Sequence, residues 1–285
     1  MRFPRSGGTL VHPTSFPGKY GIGDFGYEAR TFINFLADTD QTIWQVLPLT
    51  PTGYGNSPYA SYSAFAGNAY LISPDILLEK NLITPDEAKA AELPNGTEVL
   101  YEEAFEKKDK LYELASARFY DTLSGEDEKK FKKFKKEHKH WLDDYVLFMA
   151  CSLHFEKQPW NTWDKDIATR QPKAITKFKK KFSDQIKLQY WKQFEFLNQW
   201  MALKDYANEK GIRVIGDIPI FVDHNSSDVW ANPKYFEVDE LGNRKLVAGV
   251  PPDYFSETGQ LWGNPQYNWK ELEKDGFSWW VDRFK

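Results

Sequence analysis

The chain has 285 residues, 41% of them apolar and 16% aromatic, enough for one large domain or two smaller ones, and its 11 Trp, 15 Tyr and 21 Phe offer flat stacking surfaces besides core. A net charge of −4 with a pI near 5.8 sets up no field for a polyanion, so nucleic acid is not an expected partner. Met1-Arg2 leads into Phe3-Pro4-Arg5-Ser6-Gly7-Gly8 without an apolar leader core, no apolar run could span a bilayer, and Cys151 stands alone; the expectation is a cytoplasmic chain with no membrane partner and no intrachain disulfide.

Thr9-Leu10-Val11 leans to strand and stops at His12-Pro13, where Pro cannot donate to a ladder. Gly21-Ile22-Gly23-Asp24-Phe25-Gly26 matches the G-x-G-x-x-G dinucleotide pattern. Nine residues, His12 to Tyr20, separate it from the strand, whereas a dinucleotide loop needs its first Gly tight against the strand end. A turn that brings the backbone close to a sugar or to a neighbouring loop is the better reading. Glu28 to Ala37 carries Phe32, Phe35 and Leu36 at helical spacing, with Asp38-Thr39-Asp40 where a helix would usually stop on Gly. Thr42 to Leu47 reads as a second strand closed by Pro48, completing a βαβ start.

Pro51-Thr52-Gly53-Tyr54-Gly55-Asn56-Ser57-Pro58-Tyr59 follows that strand end. Such loops hold a barrel's active site, and Tyr faces suit a glucose ring while Asn and Ser suit its hydroxyls; an ordinary structured loop fits the composition equally well. From about Asn68 to Asp184 the pattern turns helical and polar, with Trp141, Tyr145, Phe148 and Phe155 on one stripe. The Lys-rich runs Lys129–Lys136 and Lys177–Lys181 read as solvated helix faces, the first having Glu126, Asp127, Glu128 and Glu137 beside it. The five His residues show no metal spacing, Cys151 and His154 read as buried packing rather than a thiol nucleophile, and no G-x-S-x-G elbow is present.

A long helix with Ile186, Tyr190, Phe194, Leu197 and Met201 on its apolar side is capped by Gly211 and leads to a third strand, Arg213 to Val222. That strand contains Asp217, either a buried anchor or a site residue near a strand end. Ala248 to Trp262 combines Gly hinges, a Pro pair, carboxylates and aromatics, a composition suited to a lid over a polar ligand or to an ordered surface loop. Three βα units are visible by residue 222 and 63 residues follow (285 − 222), whereas a (β/α)₈ barrel needs about 250 residues for eight.

Five stretches carry a resemblance: Arg5–Gly26, Trp44–Tyr59, Gly216–Val222, Asp228–Pro233 and Gly249–Pro265. In that order they resemble the 4-alpha-glucanotransferases, the amylomaltase or disproportionating-enzyme family. The resemblance implies an α/β fold, the N-terminal part of a (β/α)₈ barrel with a helical insertion between strands 2 and 3. It divides the chain into strands 1 and 2 with substrate loops (1–67), the insertion (68–185), and strand 3 with a lid-like loop (186–285). It implies retaining transfer of α-1,4-glucan segments between maltooligosaccharides without metal or organic cofactor. In that reaction an Asp makes a glycosyl-enzyme, a Glu protonates the leaving oxygen and an acceptor sugar displaces the enzyme.

Carried over by position, Tyr59 stacks on the glucose beside the scissile bond, Tyr54 and Ser57 line the donor groove, and Asp253, Gln260 and Trp262 sit on the lid. Asp217 is a supporting carboxylate. The family's nucleophile lies in an Arg-x-Asp-His-type run on the fourth strand, and the sequence ends at Lys285 on the segment leading to it. Nucleophile and acid/base are therefore expected to be absent and the chain inactive by itself. Asp282-Arg283 has the wrong order and spacing to replace them, and Glu257 with Asp253 would be poorly held in a mobile loop. The alternatives are a non-catalytic glucan-binding or regulatory half-barrel and, on the Gly21–Gly26 run, a nucleotide-dependent oxidoreductase.

Overall fold

The computed structural model describes residues 5–94 and 96–285, Tyr54 by its backbone alone. Its elements run β1 (Gly8–Leu10), α1 (Tyr27–Asp38), β2 (Ile43–Gln45), α2 (Pro74–Glu79), α3 (Pro85–Ala90), α4 (Tyr101–Thr122), α5 (Gly125–Glu137) and α6 (Lys139–His154). There follow α7 (Lys165–Ala168), α8 (Pro172–Lys181), α9 (Ser183–Glu209), β3 (Arg213–Ile215), α10 (Ser227–Ala231), β4 (Val247–Val250), β5 (Gln260–Pro265), α11 (Trp269–Lys274) and α12 (Ser278–Phe284). None of the described helices is long and apolar enough to cross a membrane.

By packing, the chain forms two compact units, a grouping that follows contacts rather than chain position. The first holds the chain up to Leu49, Gly67–Lys136 and Tyr190–Ile218; the second holds Thr50–Ala66, Glu137–Gln189 and Pro219–Lys285.

In the first unit β1, β2 and β3 make a parallel sheet in that order, Thr9 facing Trp44 and Trp44 facing Val214. The βαβ start is thus realised. Trp44 on the central strand is fully buried, its indole N–H donating to Val11 O at 2.9 Å, with Phe16, Phe32 and Trp200 around it. The buried stripe of α1 is Ala29, Ile33 and Leu36; Phe35, expected on it, is 52% exposed. α1 ends as expected, with Asp40 left-handed at φ 55° and the N–H groups of Asp40 and Gln41 donating to Ala37 O and Leu36 O. Gly211, at φ 78°, closes α9 in the same way through Gly211 N–H to Asn208 O and Ile212 N–H to Ala207 O.

α9 is not the one-sided helix of the sequence pattern. Trp191 to Phe196 are all buried while Met201 is exposed, and Lys192, Gln193, Glu195 and Gln199 are buried polar groups. Each has a partner: Lys192 meets Asp109 at 2.6 Å, Glu195 meets Lys80 at 2.6 Å, and Gln199 accepts from Ser73 N–H at 2.7 Å. Gln193 clasps Gly67 from both sides, accepting its N–H and donating to its C=O, each at 2.8 Å. Only Gly fits there, because a Cβ would lie 2.1 Å from the Phe196 ring. On α5, Phe131 and Phe134 are buried against Phe194, while Lys132 pairs with Glu128 at 2.6 Å on an exposed face.

The second unit packs Phe148, Trp163, Trp230 and Tyr235 into one aromatic core with Cys151, whose thiol burial pushes up to about 12. Beyond Ile215 the third predicted strand stops. Its continuation, Pro219–Val222, makes no ladder; Arg283 Nη2, Tyr267 OH and Asn264 Nδ2 donate to the carbonyls of Pro219, Ile220 and Val222 at 2.7, 2.8 and 2.9 Å.

Replacing Gln193 by Leu leaves both polar backbone groups of Gly67 buried without a partner, for which the expected loss is on the order of 2–4 kcal/mol in denaturant unfolding. Met201→Ala on the exposed side should change stability by about 0.5 kcal/mol or less. Equal effects of the two substitutions would contradict the assigned role of the clasp.

Candidate functional site

The loop after β2 is a tight reversal. Thr52 and Ser61 form an antiparallel bridge, Gly53 N–H donates to Ala60 O, and Tyr62 N–H donates to Pro51 O. Left-handed Gly55 and Asn56 turn the chain at its tip, the conformation that Gly and Asn adopt most easily. Ser57 Oγ accepts the Tyr59 N–H at 3.3 Å, and Tyr59 is 45% exposed. Ser57 and Tyr59 therefore share one short, internally bonded segment. The side chain of Tyr54 lies outside the described residues.

Below this loop the chain is held by buried polar groups. Ser63 Oγ accepts the N–H groups of Phe65 and Ala66, both at 3.1 Å. Asp228 Oδ2 accepts Ala64 N–H at 2.7 Å, and Ser227 N–H donates to Tyr62 O at 2.8 Å. Asp228 sits in the first turn of α10, whose N-cap Ser226 accepts Val229 N–H at 3.3 Å. With only 4% exposure, its carboxyl is pushed up to about 6 by burial, against the pull of the Ala64 N–H and the nearby Arg283 guanidinium. The sequence reading assigned it no role; a carboxylate directly ahead of the apolar pair Val229-Trp230 was the available sign.

The segment read as one long loop is a hairpin. β4 and β5 pair antiparallel, Gly249 facing Leu261 and Val250 facing Gln260, so Gln260 and Trp262 lie on a strand. They share one face of it, as residues two apart must, and Trp262 Nε1 donates to Gln260 Oε1 at 3.0 Å. The lid-like part shrinks to the connection 251–259. There Asp253 Oδ1 accepts the N–H groups of Phe255 and Ser256, both at 2.9 Å, so this carboxylate shapes the turn. Tyr254 and Phe255 at the tip are 98% and 86% exposed.

Asp217 lies past the end of β3, half-buried, in the first compact unit. It is not inside a strand, because the ladder ends at Ile215 ahead of Gly216 and Pro219. The predicted residues thus form two local groups in the second unit, Ser57 with Tyr59 and Asp253 with Gln260 and Trp262, while Asp217 belongs to the other unit. Arg283, considered only as a reactive partner of Asp282, instead holds the Pro219 carbonyl.

The glycine-rich run is packed against protein. A Cβ at Gly23 would lie 2.1 Å from Pro13 O, and one at Gly26 would lie 2.5 Å from Ser73 Oγ. At the start of α1, Asp24 accepts Gly26 N–H at 2.9 Å and pairs with the fully buried Lys108 at 3.0 Å. A carboxylate thus takes the place a pyrophosphate would need, which removes the dinucleotide reading. Burial lowers the Lys108 pKa and Asp24 opposes that shift. Among the described residues no group of three or more His, Cys, Asp or Glu is placed to hold a metal ion.

A family model described as 4-alpha-glucanotransferase matches residues 11–285. The 4-alpha-glucanotransferase of Clostridium butyricum is 48% identical over 279 residues, covering 96% of this chain and 56% of that protein. The one from Thermus thermophilus is 45% identical over 285 residues, again with 56% of its length covered. Among solved structures, amylomaltase from Streptococcus agalactiae in complex with acarbose superposes with a TM-score of 0.94 at 42% identity, over 98% of this chain and 56% of that one. Amylomaltase from Corynebacterium glutamicum, at 17% identity and a TM-score of 0.72, shares the fold. The chain spans about half the length of the curated relatives it matches, and it belongs to the 4-alpha-glucanotransferase family.

The raised carboxyl of Asp228 makes a signed prediction. Its folded pKa of about 6 lies above the ordinary 3.8, so the unfolded chain releases this proton first and stability falls as pH rises from about 4 to 6. Asp228→Asn keeps an acceptor for Ala64 and removes the charge. The difference in unfolding free energy between variant and wild type should grow in the variant's favour across that window, by up to about 3 kcal/mol. A pH-independent difference would contradict a buried, proton-holding Asp228.

Proposed function

We propose that this member of the 4-alpha-glucanotransferase family supplies glucan-binding and loop-positioning parts for retaining transfer of α-1,4-glucan segments. The observation that carries the reading is the exposed Tyr59 ring on a loop whose base is hydrogen-bonded to a buried carboxylate. An aromatic face on a fixed base suits a sugar ring, which stacks its C–H face and offers hydroxyls at its rim. The acarbose in the Streptococcus agalactiae amylomaltase, an enzyme of 42% identity, supports an oligosaccharide as the ligand.

In this account Tyr59 stacks on the sugar beside the scissile bond, and Ser57 and Tyr54 line the donor groove. Gln260 and Trp262 act as a linked pair on the hairpin, Asp253 holds the shape of its tip, and Asp217 is a supporting carboxylate. The frame is the N-terminal part of a (β/α)₈ barrel, with 1–67 and 186–285 bringing strands and loops and 68–185 an inserted helical segment. β1 and β3, the outer strands of the described sheet, each pair with β2 alone, which fits a sheet that continues on both sides.

The reaction assigned to the full-length protein has a carboxylate attack the anomeric carbon while a carboxylic acid protonates the departing glycosidic oxygen. An acceptor hydroxyl, deprotonated by that second group, then displaces the enzyme with net retention. None of the residues named above is assigned either role.

Maltotriose disproportionation tests this. A chain extended to the relatives' full length should form glucose and longer oligosaccharides, and the 285 residues alone should form none. In the extended chain, Tyr59→Ala or Trp262→Ala should each lower kcat/KM about tenfold, the loss of one stacking contact. Products from the 285-residue chain, or unchanged kinetics in both variants, would overturn the assignment.

A further inference from the structure

The second unit contains a cleft of about 180 Å³ that none of the assigned loops uses. It lies among α6, α10 and α12, and is lined by aromatic rings and hydrogen-bonding groups together. Phe65 and Trp141 are stacked at 6.2 Å with their planes 12° apart, and Trp279 meets Phe65 edge-on at 5.9 Å. Asn232, Ser227 and His140 supply amide, hydroxyl and imidazole groups, and Asp228 lies at its inner side.

The carboxylates of the cleft do not make it a cation site. Asp144 is paired with Arg170 at 2.5 Å, Asp282 with Lys285 at 2.9 Å, and Asp228 has the Ala64 N–H and the charge of Arg283. With those charges countered, what remains is ring faces beside neutral donors and acceptors, the chemistry that selects an uncharged polyhydroxylated ring. The volume corresponds to about six waters and falls below the roughly 300 Å³ at which pockets for drug-sized ligands begin. It is room for one sugar ring.

Trp279 and Asp228 both line the cleft. Trp279 is 6% exposed, and its buried indole N–H faces the Asp228 carboxylate without a well-aligned hydrogen bond to it. That contact favours the ionised carboxylate.

We propose that the cleft bounded by Trp141, Asn232 and Trp279 is an additional carbohydrate site that holds a single glucose unit of an α-glucan. The place of the site goes beyond the loop assignments, while the choice of an α-glucan rests on the proposed function.

Maltose titrated into the ¹⁵N-labelled 285-residue chain is the probe, with the Trp indole and Asn side-chain signals as readout. In a Tyr59→Ala/Trp262→Ala double variant, saturable shifts at Trp279 and Asn232 should remain. Adding Trp141→Ala should weaken that binding at least tenfold, and Trp141→Phe, which keeps a ring, should restore most of it. If the double variant binds maltose as wild type does, with shifts confined to the cleft, the cleft site stands and the loop assignment falls. If maltose moves no cleft signal in a well-dispersed spectrum, or binding persists unchanged in Trp141→Ala, the proposal is overturned.

Discussion

The loop side of this chain depends on a carboxylate taken out of water. Asp228 accepts the backbone N–H of Ala64, and its neighbour Ser227 donates to Tyr62 O, so the first turn of α10 is joined to the residues directly below the 52–61 reversal. Burying the group costs free energy, which the raised carboxyl reports. Hydrogen bonding and the Arg283 charge offset part of that cost. In the proposed role, Tyr59 projects from a base that does not have to be ordered when a ligand arrives, and preorganisation of this kind favours affinity.

Side chains do similar work elsewhere in the second unit. Where β3 gives out, Arg283, Tyr267 and Asn264 take the carbonyls of Pro219, Ile220 and Val222, fixing an irregular segment without a strand partner. At the hairpin tip Asp253 spends its Oδ1 on two backbone N–H groups. That use fits a residue that shapes a turn better than one that moves a proton. The exposed rings of Tyr254 and Phe255 beside it form the apolar part of the tip.

Local chemistry was the legible part of the sequence. The stops of α1 and α9 followed from Asp40 and Gly211 because a cap is decided within a few residues. The parallel order of the first strands followed from a βαβ pattern. Distant partners were not legible. Gln193 reads as a flaw in an amphipathic helix until Gly67, 126 positions away, appears across from it. Ile218 to Val222 reads as a strand because apolar runs do, although Pro219 lacks an N–H and the carbonyl partners lie 42 to 64 residues further on. The hairpin was hidden because Pro251, Pro252 and Gly259 suggest a loop, while the pairing that makes Gln260 and Trp262 strand residues is a property of two segments. Asp228 stood inside a stretch that carried the family resemblance, and its acceptor role needed Ala64 in view.

The central claim is that the 57–59 loop and the Gln260–Trp262 face contact α-glucan. A maltotriose titration of the 285-residue chain, followed at the backbone amides of Ser57 and Tyr59 and at the Trp262 indole, tests it most directly. The account predicts saturable shifts at all three with one common affinity, and the absence of any shift at all three while the protein remains folded would contradict it.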